Sequence, residues 1–212
     1  DECMAFLEPS KGGDFADLTF GGGGHSRAIL NANSGNSLLA MDCDPDAAAR
    51  SIEFKEEFPG RFRFEDASFR NLDGVSSEDE FDGILMDLGI SSFQLMEPEK
   101  GFSFRLDAPI DMRLDPRTGQ SAAEFLESAS RESLVRAVRE YGEERRWSRV
   151  VNAIIDARGT GVLGRTMSAA DLVATAVGGH RSRQRIHPAT KTFQGIRIAI
   201  NGELESLALT LP

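Results

Sequence analysis

Phe15-Ala16-Asp17-Leu18-Thr19-Phe20-Gly21-Gly22-Gly23-Gly24-His25-Ser26-Arg27 is the stretch on which the fold turns. Phe15 to Phe20 reads as a short apolar strand, four consecutive glycines follow it, and His25 to Asn33 reads as a helix. A run of glycines lets a ligand approach the backbone closely, and the amino terminus of the next helix adds partial positive charge. The spacing therefore points to a nucleotide-like or carboxylate-bearing ligand. A glycine run can also be only a tight turn; the strand-to-helix placement favours a site.

Outward from this stretch the alternation continues. Ser37 to Asp42 (SLLAMD) is a second buried strand. Pro45 suits the first turn of a helix over Asp46 to Glu57, with Asp44 placed to cap it. Arg61 to Glu65 alternates like a third strand, and Phe81 to Asp87 is a fourth. The expected fold is α/β and doubly wound, with ligands held beyond the carboxyl ends of the strands. Asp42 ends the second strand, where an acid can accept hydrogen bonds from both hydroxyls of a ribose. The plainer role, capping the next helix, suits Asp44 better. A nicotinamide dinucleotide and S-adenosylmethionine both fit this much, but Ser26 stands where the dinucleotide fingerprint begun at Gly21 requires a glycine. Asp66-Ala67-Ser68-Phe69 offers polar groups and an aromatic face for an adenine, although Phe69 also reads as a core residue. Asp87 closes the fourth strand beside the expected cleft, as a functional carboxylate or as a loop cap.

Beyond this point the pattern changes. Leu88 to Gln120 is rich in Gly, Pro, Asp and Ser and too long for an ordinary connection, so it reads as functional. Phe93 and Phe104 within it are equally readable as an aromatic platform and as loop packing. Ser121 to Glu124 forms a capping box, and helices are expected over Ser130 to Glu140, over Glu143 to Arg158 with Trp147, Val150, Val151, Ile154 and Ile155 on one face, and over Ser168 to Val177 with Ser168 as cap. This block is read as an all-α domain, residues 106–185, inserted into a domain made of residues 1–105 and 186–212. His187 to Leu211 is expected to be one long helix. No strand follows it, so the chain reads as a piece of a longer protein.

Composition narrows the partners. The 212 residues are 40% hydrophobic and carry a net charge of −10, which argues against generic adhesion to nucleic acid and requires any RNA site to be a local patch. One candidate is His180 to Arg197, with Arg181, Arg183, Arg185, Lys191 and Arg197 and no acid; Arg105, Arg113 and Arg117 in the long loop are a second. Cys3 and Cys43 have neither zinc-site spacing nor the density of a disulfide scaffold, no apolar run reaches membrane-spanning length, and the first residues do not resemble a signal peptide. The expectation is a soluble cytoplasmic protein that needs no metal.

A resemblance becomes specific across these motifs. Phe20 to Arg27, Asp42-Cys43-Asp44-Pro45, Asp82 to Ser92, Gly101-Phe102-Ser103-Phe104, Asp111-Met112-Arg113, Tyr141 to Arg145 and His187 to Gln194, in this order, resemble the MraW-type 16S rRNA (cytosine-N4)-methyltransferases. The resemblance implies a Rossmann-like class I S-adenosylmethionine-dependent methyltransferase sheet with an inserted all-α domain. It implies donor contacts by Gly23, Gly24, His25, Asp42, Phe69, Asp87 and Gln94, with Asp87 also placed to act on the acceptor amino group. It further implies that the inserted helices help to hold RNA, for which Arg113, Arg181, Arg183, Arg185 and Lys191 are the candidate contacts. The implied partner is 16S rRNA in the small ribosomal subunit; no membrane is involved, and a homodimer is compatible with this reading. Phe93 stands where a proline is usual, Arg146-Trp147-Ser148 is unusual, and the family's closing strands and usual start are absent. A non-catalytic RNA-binding or ribosome-assembly module is the second reading, and a nicotinamide-dependent oxidoreductase the third.

Overall fold

The computed structural model describes residues 2–76, 80–178 and 186–211. The chain forms two compact units, residues 1–93 with 205–212, and residues 94–204.

The first unit opens with helix α1 (Glu2–Leu7) and is built on four parallel strands. These are β1 (Asp14–Asp17), β2 (Ser37–Asp42), β3 (Phe62–Asp66) and β4 (Gly83–Leu85), in the order β3-β2-β1-β4. Helix α2 (Gly24–Ala32) joins β1 to β2, and α3 (Pro45–Glu57) joins β2 to β3. The central strand β2 has four consecutive buried residues, as a parallel strand covered on both faces requires. One face packs Phe15, Leu38, Phe62 and Phe64 against Ile29 and Leu30 of α2 and Phe54 of α3. The opposite face buries Ala16, Leu18, Leu39 and Met41, bordered by the partly buried Phe69, Leu72, Val75, Phe81 and Met86. A short helix α4 (Leu72–Ser76) lies on that side. Pro45 and Asp44 act as expected: the Asp44 carboxylate accepts the Asp46 N–H at 3.0 Å.

Two strands are shorter than the apolar pattern suggests. β1 stops at Asp17 because the Thr19 N–H turns back onto the Asp17 carboxylate at 3.1 Å, and only three of the residues from Phe81 to Asp87 pair as β4.

The chain passes into the second unit within α5 (Ser92–Met96). Among the described residues this unit is helical apart from one isolated bridge, Pro109 to Arg165. Its helices are α6 (Ala122–Ser128), α7 (Arg131–Val135), α8 (Trp147–Asp156), α9 (Thr166–Ala176) and α10 (Thr190–Asn201). The capping box at Ser121 and Glu124 is present. The long Gly- and Pro-rich loop is pinned rather than loose. Ile110 and Met112 are buried, and Asn201 bonds the loop at Leu114 N–H and Met112 C=O, both at 2.8 Å.

Several expected helix bounds are corrected here. The helix expected over Ser130 to Glu140 widens after Val135 into a π-helix, Arg136–Tyr141, where α10 presses its backbone against it; a Cβ on Gly195 would lie 2.0 Å from the Ala137 carbonyl. α8 begins at Trp147, not Glu143, because Glu143 has a positive φ of 48° and the Glu144 carboxylate takes the Arg146 N–H. Ser168 lies inside α9 and donates to the carbonyls of Val162 and Arg165, so it is not the cap. The single helix expected over His187 to Leu211 breaks at Gly202, whose left-handed φ of 56° closes α10 and is followed by α11 (Glu203–Thr210). α11 returns the chain to the first unit, where the Thr210 hydroxyl donates to the Phe69 carbonyl.

Candidate functional site

The register of the sheet brings the carboxyl ends of β1 and β2 side by side. Asp17 sits beside Ala40 and Leu85, and Asp42 beside Asp66. Beyond Asp17 the chain is still tied to its neighbours, Leu18 N–H to the Leu85 carbonyl at 2.9 Å and Phe20 N–H to the Met41 carbonyl at 3.0 Å. Phe20 then buries its ring among Phe54, Phe62 and Phe64, with centroids 5.0 to 5.7 Å away. The glycine loop hangs from this anchor.

Its glycines are needed for different reasons. Gly23 has φ of 74°, and a Cβ there would lie 2.3 Å from Cζ of Phe54, so the protein's own packing demands glycine. Gly24, the first residue of α2, is the opposite case: a Cβ would meet nothing within 4 Å. No side chain caps α2, so its first N–H groups face the loop without a side-chain acceptor.

Two carboxylates stand behind the loop. Asp17 is 1% exposed and accepts the Ser26 hydroxyl at 2.7 Å as well as the Thr19 N–H. Burial pushes its carboxyl above the usual carboxylate range, opposed by those two hydrogen bonds and the nearby His25. Asp42 accepts the Gly21 N–H at 2.7 Å with one oxygen and the Asp44 N–H at 2.9 Å with the other. Burial raises it as well, against those two backbone bonds. Sequence reasoning selected Asp42 and passed over Asp17; the available signal was an acid ending the strand just before the glycines.

Asp87 differs. Its backbone N–H donates to the Thr19 hydroxyl at 2.8 Å, which ties the end of β4 to the loop, while the carboxylate is exposed and makes no hydrogen bond or ion pair among the described residues. Phe69 is partly buried and packs against the thinner face of the sheet. The first unit thus brings Gly23, Gly24, His25, Asp42, Phe69 and Asp87 into one body, and Gln94 is the first residue of the second, where it is buried. A hollow of about 630 Å³ opens at the other end of the strands, lined by Asp14, Ser37, Arg61, Phe62 and Phe81. It lies away from the end at which parallel sheets bind ligands.

The strand-loop-helix unit with acids ending β1 and β2 has the form of a nucleotide-type ligand site. Comparison with known families identifies it further: the model of the MraW methylase family matches residues 1–212. The chain belongs to the MraW methylase family. The ribosomal RNA small subunit methyltransferase H of Thermomicrobium roseum is 45% identical over 99% of the chain and 65% of its own length. Those of Nitrosococcus oceani and Leptothrix cholodnii are 45% and 46% identical, with 67% and 65% of their lengths matched. The chain therefore spans about 65% of the length of such relatives.

The basic residues expected to meet RNA fall in the second unit of this MraW methylase chain. Arg113 is occupied by Asp111, giving two bonds of 2.8 and 2.7 Å to its carboxylate, which holds Asp111 below the usual carboxylate range. Lys191 is exposed and donates to the Glu143 carbonyl at 3.3 Å. Arg181, Arg183 and Arg185 lie outside the described residues. Phe104 is packed between His187 and Phe193, at centroid distances of 4.6 and 4.9 Å, whereas Phe93 is 43% exposed. Among the described residues no helix is long and apolar enough to cross a membrane, and no group of three or more His, Cys, Asp or Glu is placed to hold a metal ion.

Proposed function

We propose that this chain carries the donor-binding and helical parts of an S-adenosylmethionine-dependent methyltransferase that modifies the N4 amino group of a cytidine in the decoding region of 16S rRNA. The observation that carries the reading is the pairing of an open helix amino terminus at Gly24 with the Asp42 carboxylate at the next strand end. The family and the names of the relatives support the methyl transfer and the ribosomal RNA substrate. The residues fit the donor. Gly24 and His25 supply backbone N–H groups for its carboxylate, Gly23, whose own N–H is taken by the Phe20 carbonyl, lets the donor lie close to the loop, and each Asp42 oxygen keeps a lone pair for a ribose hydroxyl beyond its single backbone bond. Phe69, Asp87 and Gln94 complete the proposed contacts.

The donor, when bound, supplies a methyl group already activated by the sulfonium charge, so the protein contributes mainly proximity and alignment. Asp87 is the group proposed to face the acceptor. A hydrogen bond from the cytosine amino group to its carboxylate raises the electron density of a poor nucleophile. A structured RNA must unstack its base to reach the cleft, and the exposed ring of Phe93 is the better of the two aromatic platforms because Phe104 is engaged in packing. Residues 106–185 are proposed to hold RNA, with Lys191 and the arginines at 181, 183 and 185 as phosphate contacts. Arg113 would first have to leave Asp111. The protein acts in the cytoplasm on the small subunit, as a monomer or homodimer.

The test is mass mapping of small-subunit RNA after incubation with the full-length protein and labelled donor. One methyl group on a cytidine base is the expected result. Donor binding without transfer would point to an RNA-binding module instead.

A further inference from the structure

Arg50, on α3, was not singled out by any motif, yet it touches the centre of the site. Gly21 is held on both sides: its N–H, part of the Phe20–Gly21 peptide, donates to Asp42 Oδ2 at 2.7 Å, and its carbonyl, part of the Gly21–Gly22 peptide, accepts from Arg50 Nε at 3.0 Å. The guanidinium in turn lies 5.0 Å from the centroid of the Phe93 ring. That ring presses on the loop as well, since a Cβ on Gly22 would fall 2.4 Å from its Cε2.

A peptide inside a glycine run turns over easily, because neither neighbouring residue has a Cβ to oppose rotation. If the Gly21–Gly22 peptide turned, the Gly21 carbonyl would leave the Arg50 guanidinium and the Gly22 N–H would face that cation instead. Asp42 and Arg50 therefore fix the two successive peptides that meet at Gly21, and Arg50 penalises the flipped loop. We propose that Arg50 is a positioning residue for the donor site, holding the Gly21–Gly22 peptide and the Asp42 carboxylate in register, with the Phe93 ring as its backstop. The inference rests on the donor-binding reading of this loop.

The chemistry separates this role from mere packing. Asp42 binds ribose hydroxyls as an acceptor, so it must be ionised. The groups around it are its neighbours Cys43 and Asp44, Asp17 at the end of β1 with His25 beyond it, Asp66 paired with it on β3, and Arg50. Arg50 is the permanent cation among them and favours ionised Asp42 against burial and the other carboxylates. Removing its charge makes Asp42 take up a proton at a higher pH. Donor binding should then be lost at a higher pH on acidification.

The experiment is calorimetric titration of S-adenosylmethionine into the full-length protein between about pH 5 and 8, for wild type, Arg50→Met, Arg50→Lys and Phe93→Leu. Arg50→Met should bind about tenfold more weakly at neutral pH, and its acid limb should move to higher pH. Arg50→Lys keeps the charge but loses the planar fork that bonds and stacks at once, so it should bind more weakly with the acid limb unmoved. Phe93→Leu should show the smallest loss, about threefold. Wild-type affinity and an unmoved limb in Arg50→Met overturn the inference while leaving donor binding intact, and so does weak binding with an unmoved limb. Should Arg50→Met fail to fold, Arg50→Lys decides: wild-type affinity there overturns the inference. A wild-type protein that binds no S-adenosylmethionine overturns the donor reading itself and this inference with it.

Discussion

The ends of β1 and β2, with Asp17 and Asp42, and the end of β4, with Asp87, are neighbouring strand ends that carry the same chemical group. They are built in opposite ways. Each oxygen of Asp42 and of Asp17 already accepts a hydrogen bond, and burial works against the charge of both. Among the described residues Asp87 is fixed through its backbone N–H alone, and its carboxylate is exposed. The first region is organised during folding, at the cost of burying charge; the second is anchored but chemically open. The proposed methyl transfer, which holds a small donor in one pose and then admits a large acceptor, would use both kinds of end.

The comparison is sharpened most strongly inside the glycine loop. Gly23→Ala should destabilise the fold by about 2–4 kcal/mol, since it combines a positive φ with a clash against the packed Phe54 ring. Gly24→Ala should leave the midpoint of thermal unfolding close to wild type and weaken donor binding instead. Equal unfolding midpoints for the two variants would show that the loop is not organised by this packing.

Asp42→Ala should come next. It removes the acceptors proposed for two ribose hydroxyls, each such bond to a charged group being worth about 1.5–3 kcal/mol, and calorimetry of the folded variant measures the loss of affinity. Unchanged affinity for S-adenosylmethionine would remove Asp42 from the site.

Asp17 provides the pH test. Its folded-state pKa is raised by burial, so its contribution to stability is fully present below the unfolded value, near pH 4, and is lost as pH rises through the folded value. At neutral pH the buried charge is a cost. Asp17→Asn should therefore be more stable than wild type at pH 7 to 8 by about 1 kcal/mol, an advantage that shrinks as the pH falls through the folded pKa. Denaturant melts across this range check it; a variant less stable than wild type at every pH would show that its hydrogen bonds outweigh the burial.

Asp87→Asn should perturb the folded protein least, by no more than about 0.5 kcal/mol, because the carboxylate has no partner to lose among the described residues. Turnover of the full-length enzyme should nonetheless fall. A wild-type rate would make Asp87 a strand-end cap and erase the contrast.

Much of the first unit, and the start of α6 in the second, was legible in the linear sequence. The glycine run, the Asp44-Pro45 start of α3, the Ser121 capping box and the apolar run of β2 are signals within a few residues, where backbone sterics and local hydrogen bonds decide the outcome. The acid ending β2 was legible for the same reason: strand end and helix start can both be placed from pattern alone.

What the chain order could not contain is which distant groups meet. Gly21 finds Asp42 and Arg50 at separations of 21 and 29 residues, only because parallel pairing aligns the strand ends and α3 packs back beside the loop. The same holds for the Phe104 ring, closed between His187 and Phe193, and for the π-helix at Arg136–Tyr141, which local propensity reads as ordinary helix until the α10 backbone lies against it. Composition and periodicity thus determined the α/β order, the glycine loop and the acid that ends β2. Tertiary packing decided which carboxylates are buried, which arginine bonds the glycine loop and which is spent in an ion pair, because burial and pairing are properties of neighbours in space rather than in sequence.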